Sequence, residues 1–301
     1  NPCDHINDSF FREYYNSDEE WDVMTQSGIR DGNRTSWDEM INYARNHDLT
    51  SPVHYWELAR RLDIPAFADY LILQLWSANW DWPSNNWAAA SERSDQGLWR
   101  FFIWDAEGGL TNGFINTVYF DRLNSWSDYI SILYRCLKAS GDFKQTFTDR
   151  LFKHFYNNGA LTEANIDRRF IELREEVDEV VYRLTGSAVD EYIINTWAPQ
   201  RPSIFINACA AEGLFTYTGP ELRINGAYQH GGYASVGDTL TIYNPYGLGD
   251  VYYTVDGNDP RVPIAGWTPG DKIELASEGA AKRLIVPTGP AGAPVGSILY
   301  E

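Results

Sequence analysis

The chain has 301 residues and a net charge of −18, with 44% hydrophobic and 15% aromatic residues. Such a length holds one large domain or two ordinary ones, and such a composition builds a packed core rather than a disordered chain. The acidic balance argues against nucleic acid or an anionic membrane as partner, and no run of 18 apolar residues offers a membrane span.

The charge otherwise reads as solubility. Cys3, Cys136 and Cys209 are odd in number and widely spaced, so they suggest neither a zinc motif nor a disulfide framework. They are expected to pack as small apolar residues. The sequence starts at Asn1 without a signal peptide and stops in "AKRLIVPTGPAGAPVGSILYE", and is expected to be a trimmed piece of a longer protein.

Up to about residue 218 the pattern is mainly helical. "SWDEMINYARNH" pairs Ser36 with Glu39 as a capping box. "SPVHYWELARRL" offers Ser51 as cap and Pro52 at the first helical position. In "IPAFADYLILQLWSAN", Ile72, Leu75, Trp76 and Asn79 lie on one stripe. This helix runs into "NWDWPSNNWAAA", residues 79–90. "NWAAASER" and "LWRFFIWD", joined by "SDQG", read as a β-hairpin. Further helices are expected at "SWSDYISILYRCLKA", "DFKQTFTDRLFKHFYNN", "TEANIDRRFIELREEVDEVVYRLTG" and "PSIFINACAAEG". The third is charged along one face, the mark of a helix on the outside of a bundle. Beyond 218, "ELRINGAYQHGGYASVGDTLTIYNPYGLGDVYYTVDGNDP" alternates and is rich in Gly and Tyr, which predicts antiparallel β-structure. The expected fold is α+β, with a mainly helical domain over 1–218 and a small antiparallel β-sandwich over 219–301.

A hairpin turn centred between Asp95 and Gln96 places Asn86 opposite Asp105. Directly opposed residues have Cβ atoms roughly 5 Å apart, close enough for an amide oxygen and a carboxylate to share a hard cation such as Mg²⁺. Asp81 lies in the loop that feeds the hairpin. Protein kinases use this order: an aspartate facing the acceptor hydroxyl, an asparagine five residues later, then an aspartate after the hairpin, the last two holding metal on ATP. The plain alternatives are a turn-capping Asp81, a turn-forming Asp105 and ordinary loop asparagines.

The segments "DYLILQLWSANWDWPSNNW" and "LWRFFIWDAEGGL" resemble the spore-coat CotH family of atypical kinases. "EYYNSDEEWDVMTQSGIRDGN" upstream and "RPSIFINACAAEGLFTYTGPEL" downstream extend the resemblance over about 1–218. It implies a kinase-like large lobe that uses ATP and Mg²⁺. Asp81 is then the catalytic aspartate and Asp105 the metal-binding one. Asn86 is carried over as a ligand of the metal and nucleotide, or Asn85 in its place. "VYYTVDGNDPR" resembles a β-sandwich module found beside secreted glycosidases and chitobiases. Both resemblances imply an extracellular or cell-surface protein acting on a protein substrate or a surface polysaccharide. The chain departs from a kinase in having no Gly-rich nucleotide loop and no lysine on an N-terminal strand. Its transfer activity is therefore expected to be weak or absent.

Two other functions fit the same residues. A glycoside hydrolase could pair carboxylates from Asp81, Glu92, Asp105 and Glu107 across a Trp-lined cleft, about 5 to 9.5 Å apart. A carbohydrate-binding or adhesion protein would expose Trp80, Trp82 and Trp87 as platforms. Those three, with Trp99 and Trp104, are expected mainly to pack in the core. The five histidines lack His-Glu-x-x-His spacing, and "DGND" at 256–259 reads as a turn rather than a calcium loop.

Overall fold

The computed structural model describes residues 6–156, 159–215, 221–229 and 234–244. The chain divides into two units, Asn1–Leu151 with Glu163–Tyr217, and Phe152–Thr162 with Thr218–Glu301.

The architecture is α+β. In the first unit a four-stranded antiparallel sheet has the order β2-β1-β3-β4, formed by β1 (Trp21–Thr25), β2 (Gly28–Asp31), β3 (Trp87–Glu92) and β4 (Arg100–Ile103). The expected hairpin is β3–β4. The β1–β2 hairpin, paired along β3 from Trp21↔Glu92 to Thr25↔Ala88, was not expected from the sequence.

Strand alternation sends Trp87 and Ala89 to one face and Ala88 and Ala90 to the other. The second face packs with Val23 and Trp21 against Ile6 and Phe11, the latter on α1 (Asp8–Tyr15). On the first face Trp87 stacks on Trp37 of α2 (Thr35–Asn46), ring centroids 5.8 Å apart. Ala88, Ala90, Trp37 and Phe11 are all fully buried. The small side chains of the alanine run let aromatic rings close on the sheet from both sides.

Helix α3 (Pro52–Ala59) starts as expected at Pro52, but Ser51 makes no side-chain cap. The expected capping box is also replaced. Helix α2 begins at Thr35, so Ser36 lies inside its first turn, and Asn33 Oδ1 accepts from the Thr35 amide at 3.0 Å. The cap that decides the site's position belongs to α4 (Ile64–Trp76). Asp63 Oδ1 accepts from Ala66 N at 3.0 Å, and Oδ2 accepts from Arg100 Nε at 2.9 Å. Backbone bonds from Asp63 N to Trp99 O and from Trp99 N to Arg61 O join the start of α4 to the head of β4.

After β4 come α5 (Phe120–Ser125), α6 (Tyr129–Lys138), α7 (Gly141–Phe155), α8 (Glu163–Thr185) and α9 (Ala198–Ala211), the last led in by a π turn at Ile193–Trp197. Helix α9 carries Arg201, whose side chain is fully buried without a carboxylate partner. Its Nε donates to Trp76 O at 2.8 Å, Nη1 to Ile115 O at 2.5 Å, and Nη2 to Leu75 O and Thr117 O, each at 2.7 Å. Burial pulls the guanidinium down to about 10, so it is still a cation at neutral pH.

In the second unit the described strands form a three-stranded antiparallel sheet, β6-β5-β7, from β5 (Glu221–Ile224), β6 (Ala227–Tyr228) and β7 (Leu240–Tyr243). The "DGND" turn at 256–259 and the segment that resembles a sandwich module lie outside the described residues, as do Cys3 and His230. Cys209 is buried and Cys136 half-buried, both as free thiols.

Arg201→Met should keep the volume and remove four hydrogen bonds to buried backbone carbonyls. An unfolding free-energy loss of about 3–5 kcal/mol is expected, read by urea denaturation. Arg201→Lys, with fewer donors and no fork, should recover less than half of it.

Candidate functional site

Two loops leave the frame made by α4 and the hairpin. One runs from Ser77 to Asn86, between α4 and β3; the other from Trp104 to Leu110, after β4. They are fastened together along their length. Leu110 N donates to Ser77 O at 2.7 Å. Gly108 is buried against the first loop, where an added Cβ would come within 2.8 Å of Asn79 Oδ1 and 2.9 Å of Trp80 Nε1. Any larger residue would have to push these two side chains aside, which gives Gly108 of the "AEGG" stretch a physical reason.

The predicted site residues meet at the tips of these loops. Asn86 Nδ2 donates to Asp81 Oδ2 at 3.2 Å and to the Asp105 carbonyl at 3.2 Å. Asn85 Nδ2 donates to Asp81 Oδ1 at 3.1 Å. Asp81 therefore takes one amide on each carboxylate oxygen, and Asn86 bridges the two loops. Both asparagines donate an Nδ2 N–H to Asp81.

The expected register needs one correction. Trp87 pairs with Ile103 and Ala88 with Phe102, so Asn86 falls opposite Trp104 and not Asp105. The two residues come together through backbone twist instead. Asn86 has φ 60° and Asp105 φ 54°, both in the left-handed region, one just before β3 and one just after β4. Asparagine and aspartate tolerate that region better than most residues.

Asp105 heads a short 3-10 turn, Ala106–Gly108. Its carboxylate lies beside that of Glu107, and their shared hydrogen bond and repulsion raise the Glu107 carboxyl above the ordinary range. Two crowded, exposed acids are a fit for a hard divalent cation. Mg²⁺ characteristically takes one or two carboxylates and fills its other positions with water and phosphate oxygens. Among the described residues no cluster of three or more metal-ligating side chains occurs. Glu92, offered with these acids as a glycosidase candidate, instead accepts from Ser17 and Ser94 at the far end of β3.

Sequence reasoning missed Arg122 of α5. Its Nη1 donates to Trp80 O at 2.6 Å and Trp82 O at 2.7 Å, the carbonyls on either side of Asp81. The guanidinium lies 3.7 Å from the Tyr119 ring centroid. No spacing rule links Arg122 to residue 81; an arginine in the aromatic stretch "VYFDRLNSW" was the available signal.

The tryptophans are mostly frame. Trp82, Trp87 and Trp99 are buried, and Trp82 Nε1 donates to Tyr70 Oη at 2.7 Å. Trp80 is exposed and Trp104 half-buried. A cavity of about 200 Å³ is lined by Trp87 and Trp104, together with Thr25, Gln26, Ser27 and Arg30. It is smaller than the about 300–1,000 Å³ of typical small-molecule sites.

A family model described as CotH kinase protein matches residues 3–187. No curated protein and no solved structure matches the chain.

Asn86→Ala should cost about 1–2 kcal/mol in a thermal melt, through the lost bridge and an alanine at positive φ. Asn86→Gly should cost less, because it restores the backbone and forfeits only the bridge. The Glu107 carboxyl should titrate above a reference glutamate by carbon-detected NMR. In Asp105→Asn, which removes the neighbouring charge, its midpoint should fall.

Proposed function

We propose a phosphotransferase function for this chain, which belongs to the CotH kinase family. The reaction is transfer of the γ-phosphoryl group of ATP, with Mg²⁺, to a hydroxyl on a secreted or surface protein. The observation that carries this reading is the Asn86 amide, which ties the Asp81 carboxylate to the backbone of Asp105.

In this reading Asp81 receives the acceptor hydroxyl. Each of its oxygens already takes an amide N–H, so its orientation is set before the acceptor arrives. One lone pair on each oxygen is still open to accept the hydroxyl proton's hydrogen bond. Asp105 and Glu107 would hold the Mg²⁺, which supplies charge neutralisation at the phosphates when bound. Asn85 and Asn86 act through Asp81 as positioning residues. Arg122 does the same from the other side, by fixing the peptide groups that flank Asp81. Phosphoryl transfer has a loose transition state, so alignment of acceptor and phosphate contributes more than proton removal. Without a Gly-rich phosphate loop in these 301 residues, transfer is proposed to be slow.

Calorimetry with Mg²⁺ and ATP, paired with a radiolabel transfer assay on a Ser- and Thr-containing protein, tests the reading. Asp105→Ala should weaken Mg²⁺-dependent ATP binding by about tenfold or more. Asp81→Asn should leave binding within about twofold and reduce transfer by about 100-fold or more. No ATP binding by the parent chain, or binding unchanged in Asp105→Ala, would overturn it.

A further inference from the structure

Helix α8 spans Glu163–Thr185 and has no buried residue. Yet six of its apolar residues are regularly spaced, with Ile171, Val181 and Tyr182 off their row. Ile166, Phe170, Leu173, Val177, Val180 and Leu184 recur at alternating steps of four and three, the seam of a two-stranded coiled coil. The last four are the open ones, with relative exposures of 45%, 44%, 57% and 80%.

The face that α8 turns to its own unit is a different one. Asp178 accepts from Val189 N at 3.2 Å, and Arg174 pairs with Glu191 at 2.5 Å. At about 100° per residue, the apolar seam lies roughly a quarter turn away from Arg174 and Asp178. Charged residues alone do not explain the spacing, and a solvated helix has no use for it.

We propose that this seam joins two copies of the chain, α8 against α8, in antiparallel orientation. The flanking charges select both the occupant and its direction. With Leu173 facing the partner's Leu184 and Val177 facing the partner's Val180, the outer flank sets Glu176 against the partner's Arg183, twice by symmetry. A parallel pair would instead set Arg169 against the partner's Arg174, like against like. An isologous contact of this kind also closes on itself, as most homo-oligomeric interfaces do. Arg183 also reaches Glu179 on its own helix. The seam has four apolar layers over about 18 Å. That is short beside the about 800 Å² per partner of tight complexes, so the dimer is micromolar or weaker.

Sedimentation equilibrium of the whole chain between about 10 and about 500 µM tests this. The expected result is a concentration-dependent monomer–dimer equilibrium. Val177→Glu with Val180→Glu should be monomeric throughout, with an unchanged circular dichroism spectrum and melting temperature, since both sites are exposed. Glu176→Arg and Arg183→Glu should each weaken the dimer by about fivefold or more, by turning two attractions into two repulsions. Combining them should restore it to within about threefold. A monomer at every concentration would overturn the proposal, as would a dimer that survives Val177→Glu/Val180→Glu. Failure of the charge exchange to rescue would overturn the antiparallel pairing. If the apolar seam is instead covered by residues 245–301 of the same chain or by a different protein, the chain alone stays monomeric.

Discussion

A buried guanidinium holds the roots of both site loops. The last carbonyls of any helix lack partners within the helix. At the end of α4 two of them, on Leu75 and Trp76, accept from Arg201, and the segment after the second loop supplies the other two, on Ile115 and Thr117. A cation at a helix C-terminus is also favoured by the helix dipole. One side chain thus fixes where the first loop begins and where the second ends. Everything beyond is a fastening of two strands already brought side by side: Leu110 to Ser77, Gly108 against Asn79 and Trp80, and Asn86 across the tips.

The opposite end of α4 is held by another charge. Asp63 caps the helix and pairs with Arg100 of β4. The helix and the hairpin are therefore joined at one end by an ion pair and at the other by the loops that form the site. This frame explains why so few residues need be exposed to make the site. Its walls are buried aromatics, with Trp37, Trp87 and Phe101 in mutual contact beneath the hairpin. Its working edge is four polar residues and one carboxylate neighbour, Glu107.

Much of this was legible in the sequence because the signals are local. The long apolar run of α4, the turn signal "SDQG" between β3 and β4, and the spacing of Asp81, Asn86 and Asp105 each stand within a short window. The register was missed by one residue because it depends on the shape of the turn, which residue types alone do not fix. The predicted proximity survived since positive φ at Asn86 and Asp105 carries both out of the ladder. The capping box at Ser36 failed for a similar reason: Asn33 offered an oxygen to the helix start first. Arg201 and Arg122 were illegible because they act on backbone carbonyls distant in sequence. A carbonyl acceptor is present at every residue and leaves no mark on composition or spacing. In α8 the charges were read and the apolar seam between them was not.

The direction of the asparagine amides bears most on chemistry. As placed, Asn86 spends one nitrogen on Asp81 and on the Asp105 carbonyl. Its oxygen takes no part in the bridge, and the crowded negative charge of the second loop is that of the Asp105 and Glu107 carboxylates. Repulsion between those two acids, with the hydrogen bond they share, raises the Glu107 carboxyl. Asp81 has no such neighbour among its hydrogen bonds; its partners are neutral amides, which orient a carboxylate without neutralising it. The site thus separates its acids by task. One is held in a fixed direction by uncharged donors, and two are crowded against each other. In the proposed reaction the first would face the acceptor hydroxyl and the other two the cation, and the Asn86 bridge is what joins the two loops.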